Sequence, residues 1–388
     1  MRKDILENQA LQSFSLCFDP VNRDLIRGVD EEGNLMGKYI KKHPGVRVLD
    51  NGDTEFNFLA PEAKSVQVAG IGGTMGNQRY NMTKVEDGYW TVTVPGIGSG
   101  FHYHEYFVDG NRVSSQLAPF GYGCFRGINF FEMPDDNSDF YLLQEVPHGT
   151  VRMDVYNSSV TGRIRNCFVY TPPGYEKELD KTYPVLYLQH GGGENETGWI
   201  WQGKINYIMD NLLAKQECRE MIIVMNSGYA FKPDGSSNPA IGSIDEVLVK
   251  DCIPFIEKKY RVIKDRTARA MAGLSMGGFQ TQATVFNNLD VFSAAGMFSA
   301  PFLTKNTELD YARYDYTELL SDVKTFNEKL NLLFVSAGEQ EPMLESISTT
   351  LAELGKTGIK FVLYTMPGHH EWNVWRYSAY EFLKRVFK

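Results

Sequence analysis

Hydrophobic and polar positions change their rhythm twice along this chain. Up to about residue 50 they keep no steady period, and charged or turn-forming stretches such as Asp30-Glu31-Glu32-Gly33-Asn34 break every apolar run. Residues 1–50 therefore read as an extended lead-in that packs on one of the domains after it. Beyond them, residues 54–59, 65–69, 89–94 and 101–108 alternate with period two, which puts every second side chain on one face of a strand. Glycine, proline and aspartate clusters separate these runs, and Val108-Asp109-Gly110-Asn111-Arg112-Val113 carries a tight-hairpin signal. Short strands at this spacing predict a small β-sandwich over residues 51–115. Residues 116–141, with Pro119-Phe120-Gly121-Tyr122-Gly123 among them, hold no clear period and read as an aromatic linker lying against the second domain.

From residue 142 strands begin to alternate with helices. Residues 150–156 and 163–170 predict a leading hairpin pair. Buried strands follow at 183–188, 221–225, 267–272, 292–298, 330–336 and 360–365. Helical periodicity falls between them at 205–213, 246–260, 278–286 and 344–354, and a last helix runs over 372–386. This βαβα order over 142–388 predicts an α/β domain, its mostly parallel sheet covered on both faces.

Composition narrows the possibilities. A chain of 388 residues with 43% hydrophobic and 22% charged residues has room for two packed domains. Its net charge of −9 argues against nucleic acid and anionic membrane surfaces as partners. Five cysteines, Cys17, Cys124, Cys167, Cys218 and Cys252, form no C-x-x-C pair, so neither a zinc site nor a disulfide framework is indicated. Residues 1–9 carry no apolar core of a signal peptide, and the expected location is cytoplasmic unless such a segment has been removed. Whether the chain dimerises is left open.

The chemistry gathers on Ala272-Gly273-Leu274-Ser275-Met276-Gly277-Gly278. Gly-x-Ser-x-Gly between a strand and a helix is a nucleophile elbow, a turn so sharp that the serine hydroxyl stands exposed on strained backbone. A serine hydroxyl needs a base to take its proton, and the base needs a third group to orient it. On an α/β-hydrolase sheet these follow in the order nucleophile, acid, base. Only His369 and His370 come after Ser275, both behind the last predicted strand. The acid belongs after strand 330–336, where Gly338-Glu339-Gln340-Glu341 offers Glu341 or, as the alternative, Glu339. Oxyanion donors are the backbone N–H of Met276 and, in His190-Gly191-Gly192-Gly193, that of Gly192. His190 itself reads as a structural hydrogen-bonding residue. No metal or organic cofactor is called for.

Four stretches together resemble one family: Thr171-Pro172-Pro173-Gly174-Tyr175, Tyr183 to Gly193, the elbow, and Gly368-His369-His370-Glu371-Trp372. They are similar to the esterase D and enterochelin-esterase-like hydrolases, and within these to feruloyl and acetylxylan esterases of carbohydrate esterase family one. The resemblance covers about 142–388. It implies an α/β-hydrolase fold and hydrolysis of carboxylic esters on plant cell-wall oligosaccharides. Its His-x-Trp pattern picks His370 as the base. The family's acid is usually an aspartate at the fourth position of a Gly-x-x-Asp turn, where this chain has Glu341. Leu59 to Val68, with Asp87-Gly88-Tyr89-Trp90, resembles the immunoglobulin-like, glycogen-binding-type modules that precede such esterases, and reads here as structural. Expected walls of an acyl pocket are Trp199, Trp201, Tyr229, Phe231 and Phe302. The expected reaction is release of ferulic acid. An acetyl-oligosaccharide esterase is the alternative, followed by a siderophore esterase, an acyltransferase and a non-catalytic carbohydrate-binding protein.

Overall fold

A computed structural model describes residues 23–29, 32, 35–41, 45–133, 135, 137–238, 241–304 and 315–388. Most of the 1–50 lead-in, with Cys17, lies outside the described residues. The chain forms two compact units, Met1–Leu143 with Glu371–Asn373 and Gln144–His370 with Val374–Lys388.

Among the described residues, the first unit is built of β-strands with a few short 3₁₀ turns. Strands β1 (Arg23–Val29) and β2 (Leu35–Lys41) pair antiparallel inside the stretch expected to be an extended lead-in. Ten further strands follow: β3 (Val46–Val48), β4 (Thr54–Leu59), β5 (Val66–Gly70), β6 (Arg79–Asn81), β7 (Thr83–Lys84), β8 (Tyr89–Val94), β9 (Gly100–Val108), β10 (Asn111–Val113), β11 (Phe120–Gly123) and β12 (Arg126–Met133). One sheet has the order β3-β4-β8-β7, the other β11-β12-β9-β5-β6 with β10 beside β9. Between them the alternating apolar positions meet as aromatic rings: Phe56 edge-on to Phe131 at 5.4 Å, and Phe58 at 4.7 Å from Tyr106. His104 is sealed in the same layer, where burial lowers its pKa to about 3 and keeps it neutral. Asp109 and Gly110 both take positive φ, 49° and 83°, in the expected hairpin.

The expected linker over 116–141 is corrected. Within it β11 and β12 form a hairpin, and β12 pairs with β9, so these strands belong to the sandwich. From Ile128 to Met133 every residue is buried, which removes the alternation that would have revealed a strand. Asn129 holds the approach to this hairpin, accepting from Ser115 N–H at 2.7 Å and donating to the Ser115, Ala118 and Pro119 carbonyls.

The second unit carries β13 (Thr150–Ser158), β14 (Arg163–Thr171), β15 (Val185–Gln189), β16 (Ile222–Asn226), β17 (Arg269–Leu274), β18 (Ala294–Phe298), β19 (Leu332–Gly338) and β20 (Val362–Met366). They form one sheet in the order β13-β14-β16-β15-β17-β18-β19-β20. The β13–β14 and β14–β16 pairs are antiparallel, and all later pairs are parallel. Every residue of β15, β16, β17 and β18 is buried, as continuous apolar runs require when helices cover both faces. This is an α/β-hydrolase fold. The helix expected over 246–260 is instead Ile244–Val247 and Ile253–Lys259, joined by a wider π turn at Leu248–Cys252.

Register decides where the chemistry can sit. Leu274 pairs with Phe298, Phe298 with Ser336, and Gly338 with Met366. The segments that leave β17, β18, β19 and β20 therefore emerge along one edge of the sheet.

Asp210, on the helix Ile205–Ala214, anchors the other side of the unit. Its buried carboxylate accepts from the Tyr170 hydroxyl at 2.6 Å, Gly149 N–H at 2.9 Å and His148 Nδ1 at 2.9 Å. Asp210→Ala leaves these donors without their acceptor, so a loss of about 3 kcal/mol of unfolding free energy is expected in urea titration.

Candidate active site

Ser275 follows directly on β17 and precedes the helix Met276–Phe286, at φ 51° and ψ −117°. That backbone is rare for a residue with a Cβ, and the surroundings hold it in place. Ser275 N–H donates to Phe298 O at 2.8 Å, and Ser275 O accepts from Gly278 N–H at 2.9 Å. A Cβ on Gly273 would lie 2.5 Å from the Gly277 carbonyl, and one on Gly277 2.6 Å from the His190 carbonyl. Strand, turn and glycine loop touch through bare backbone, so both motif glycines are steric requirements.

Ser275 Oγ lies 2.9 Å from His370 Nε2, and His370 Nδ1 lies 2.8 Å from Glu341 Oε2. The His370 side chain is 39% exposed, whereas that of Glu341 is wholly buried. Glu341 Oε1 accepts from Ser299 Oγ at 2.5 Å and from Gly338 N–H at 2.8 Å. Burial pushes this carboxyl upward, but hydrogen bonds from His370, Ser299 and Gly338 outweigh it and hold the pKa below the ordinary glutamate value. An ionised Glu341 accepting from Nδ1–H leaves the Nε2 lone pair facing the serine. Glu339, the alternative acid, is exposed two residues earlier, and its N–H donates to Met366 O.

The acid turn and the histidine loop are fastened to each other. Gln340 N–H donates to Gly368 O at 3.0 Å, and Gly368 N–H donates back to Gln340 Oε1 at 2.5 Å. Sequence reasoning missed Ser299 and Gln340. Ser299 was signalled only by its place, first after the apolar strand β18 and so on the same sheet edge as Ser275; it too takes positive φ, 50°.

The glycine loop follows β15. A Cβ on Gly191 would lie 3.3 Å from Ser275 Cβ, while one on Gly192 would meet nothing within 4 Å. Gly193 N–H donates to the Tyr229 hydroxyl at 2.6 Å. His190 is buried beneath, its Nδ1 bonded to Gly191 O and its Nε2 accepting from Gly228 N–H, both at 2.8 Å. Burial lowers its pKa to about 4, which keeps it neutral for this two-sided clamp.

The five expected pocket walls separate. Tyr229 is half-buried and Phe231 is 46% exposed, and both line an open groove. Trp201 is half-buried at the end of the short helix Gly198–Trp201. Trp199 and Phe302 are corrected. Trp199 is 1% exposed and donates its indole N–H to Gln189 O at 2.8 Å, while Phe302 packs on Phe286 inside the core. Large rings next to glycine loops looked like pocket walls, but the sheet needed them as packing.

The chain is similar to known proteins over both units. Residues 158–381, more than half of the chain, match the family model described as "Putative esterase". Residues 43–121 match carbohydrate-binding module 48, the isoamylase N-terminal domain. An endo-1,4-beta-xylanase/feruloyl esterase of Xylanibacter ruminicola is 32% identical over 364 residues, which are 92% of this chain and 47% of the relative. The chain thus spans about half the length of that protein. Among solved structures, a ferulic acid esterase is 26% identical with a TM-score of 0.53, over 63% of this chain and 99% of its own. The enterobactin esterase of Shigella flexneri, 14% identical, superposes with a TM-score of 0.67 over 89% of this chain and 96% of its own, a likeness of fold alone.

The lowered Glu341 pKa makes its contribution pH-dependent with a definite sign. A carboxyl held below its unfolded value stabilises fully above that value, 4.5 for glutamate, and loses the contribution as pH falls through the folded pKa. The melting-temperature difference between the parent chain and Glu341→Gln should therefore be full at neutral pH and shrink below about pH 4.5, as differential scanning fluorimetry would record.

Proposed function

This chain belongs to the putative esterase family, and from that premise we propose that it is a serine hydrolase that releases hydroxycinnamic acid, ferulic acid foremost, from esterified cell-wall oligosaccharides. The observation that carries the reading is the unbroken chain Ser275 Oγ, His370 Nε2, His370 Nδ1, Glu341 Oε2, with contacts of 2.9 and 2.8 Å. Ser275 attacks the ester carbonyl while His370 takes its proton, and Glu341 stabilises the imidazolium. The backbone N–H groups of Met276 and Gly192 bind the oxyanion, the first at a helix N-terminus where negative charge is favoured. His370 then protonates the leaving sugar hydroxyl, and water enters by the same route to free the acid.

The choice of acyl group rests on the 32% identical xylanase/feruloyl esterase and the 26% identical ferulic acid esterase. The enterobactin esterase shares the fold alone and does not argue for a siderophore ester, and the net charge of −9 disfavours a multiply anionic catecholate. Acetyl esters use the same machinery with a smaller acyl group.

Methyl ferulate, 4-nitrophenyl acetate and an enterobactin-type triester, assayed side by side, test the reading. Ferulate release that Ser275→Ala abolishes is the expected outcome. Release of acetate alone would reassign the chain to deacetylation, and faster cleavage of the triester to siderophore hydrolysis. The third triad member has its own check: Glu341→Gln should lower kcat by roughly 10⁴-fold by fixing the wrong imidazole tautomer. Glu339→Gln should stay within about twofold of the parent, since it removes only an exposed carboxylate.

A further inference from the structure

We propose that the open groove beside the glycine loop is a carbohydrate subsite, which takes the sugar that carries the ester. This rests on the esterase reading above and adds the part of the substrate that reading leaves unplaced. The groove encloses about 590 Å³ and lies within the second unit. Arg163 and Asn166 line it from β14, Glu196 from the segment after the glycine loop, and Tyr229, Phe231 and Lys232 from the segment after β16.

Its chemistry suits a polyhydroxylated ligand better than a hydroxycinnamoyl ring. A ring that size wants an enclosed apolar slot, whereas this groove is open and lined largely by hydrogen-bonding side chains. Asn166 Nδ2 donates to Glu196 Oε1 at 2.5 Å, which leaves one acceptor oxygen on each residue for sugar hydroxyls. Lys232 is paired with Glu246 at 2.5 Å, but Arg163 is exposed and has no ion pair among the described residues. Phe231, 46% exposed, offers the apolar surface on which the C–H face of a sugar can lie.

The walls are fixed before any ligand arrives. Arg165, buried beneath, donates to Tyr229 O at 3.0 Å and to Ser227 O. Gln280, on the helix behind Ser275, donates to Gly228 O at 2.9 Å. A wall held in this way loses little freedom on binding. Tyr229 joins groove to reaction, its ring forming the wall while its hydroxyl holds Gly193 N–H at 2.6 Å. Gly193, whose N–H the Tyr229 hydroxyl accepts, is next in sequence to the expected oxyanion donor Gly192.

The test uses the full chain and two variants outside the catalytic machinery and the expected acyl pocket, Glu196→Ala and Arg163→Ala. Methyl ferulate and a feruloylated xylo-oligosaccharide are compared by ferulate release. Binding of the ester-free oligosaccharide is followed by calorimetry, with melting temperatures to confirm folding. Either variant should lower kcat/KM on the oligosaccharide ester about five- to tenfold, with methyl ferulate unchanged within about twofold, as expected for loss of one central contact. Glu196→Ala should also weaken binding of the ester-free sugar. Equal losses on both esters, parental kinetics on both, or no binding of the free sugar to the parent would each overturn the subsite. Sugar binding that Glu196→Ala weakens, without ferulate release from either ester, would overturn the esterase reading and keep the subsite.

Discussion

Everything at the candidate site depends on one close approach of backbone to backbone. Ser275 sits in a conformation that L-residues rarely adopt, and it stays there because strand, helix and glycine loop press against the turn without intervening side chains. Gly273 lies against Gly277, and Gly277 against the carbonyls of Gln189 and His190. The same contact that forces the turn brings the loop carrying Gly192 beside the serine. Ser275 and the glycine loop are thus placed by one steric constraint.

The Glu341 carboxylate is held on the opposite principle, by polar compensation. A buried carboxylate is tolerated when its oxygens accept enough hydrogen bonds, and Glu341 has three donors: His370, Ser299 and Gly338 N–H. None of them is next to it in sequence except through the tight turn Gly338–Glu341. A Cβ at Gly338 would lie 2.2 Å from the Gly368 carbonyl, so that turn also packs directly on the histidine loop. The Glu341 side chain reaches Ser299, the first residue after β18.

His190 serves a third kind of control. Kept neutral by burial, it can donate to one loop and accept from another, which a protonated ring could not do. Through it and through the Tyr229 hydroxyl, the segment after β16 grips both ends of the glycine triplet.

Much of this was legible in the sequence alone. Period-two runs gave the strands of the sandwich, the change to βαβα order gave the α/β domain, and motif order along the chain singled out Ser275, His370 and the choice between Glu341 and Glu339. Such features are local or depend only on chain order, so they survive without coordinates. Tertiary structure decided the rest. It put β12 into the sandwich, because a strand buried on both faces shows no alternation. It buried Glu341 among three converging donors and left Glu339 exposed, moved Trp199 and Phe302 into the core, and brought Ser299 to the Glu341 carboxylate. These outcomes turn on which distant segments meet, and sheet register sets that: neighbouring strands align Leu274, Phe298 and Ser336, residues scattered along the chain, along a single edge.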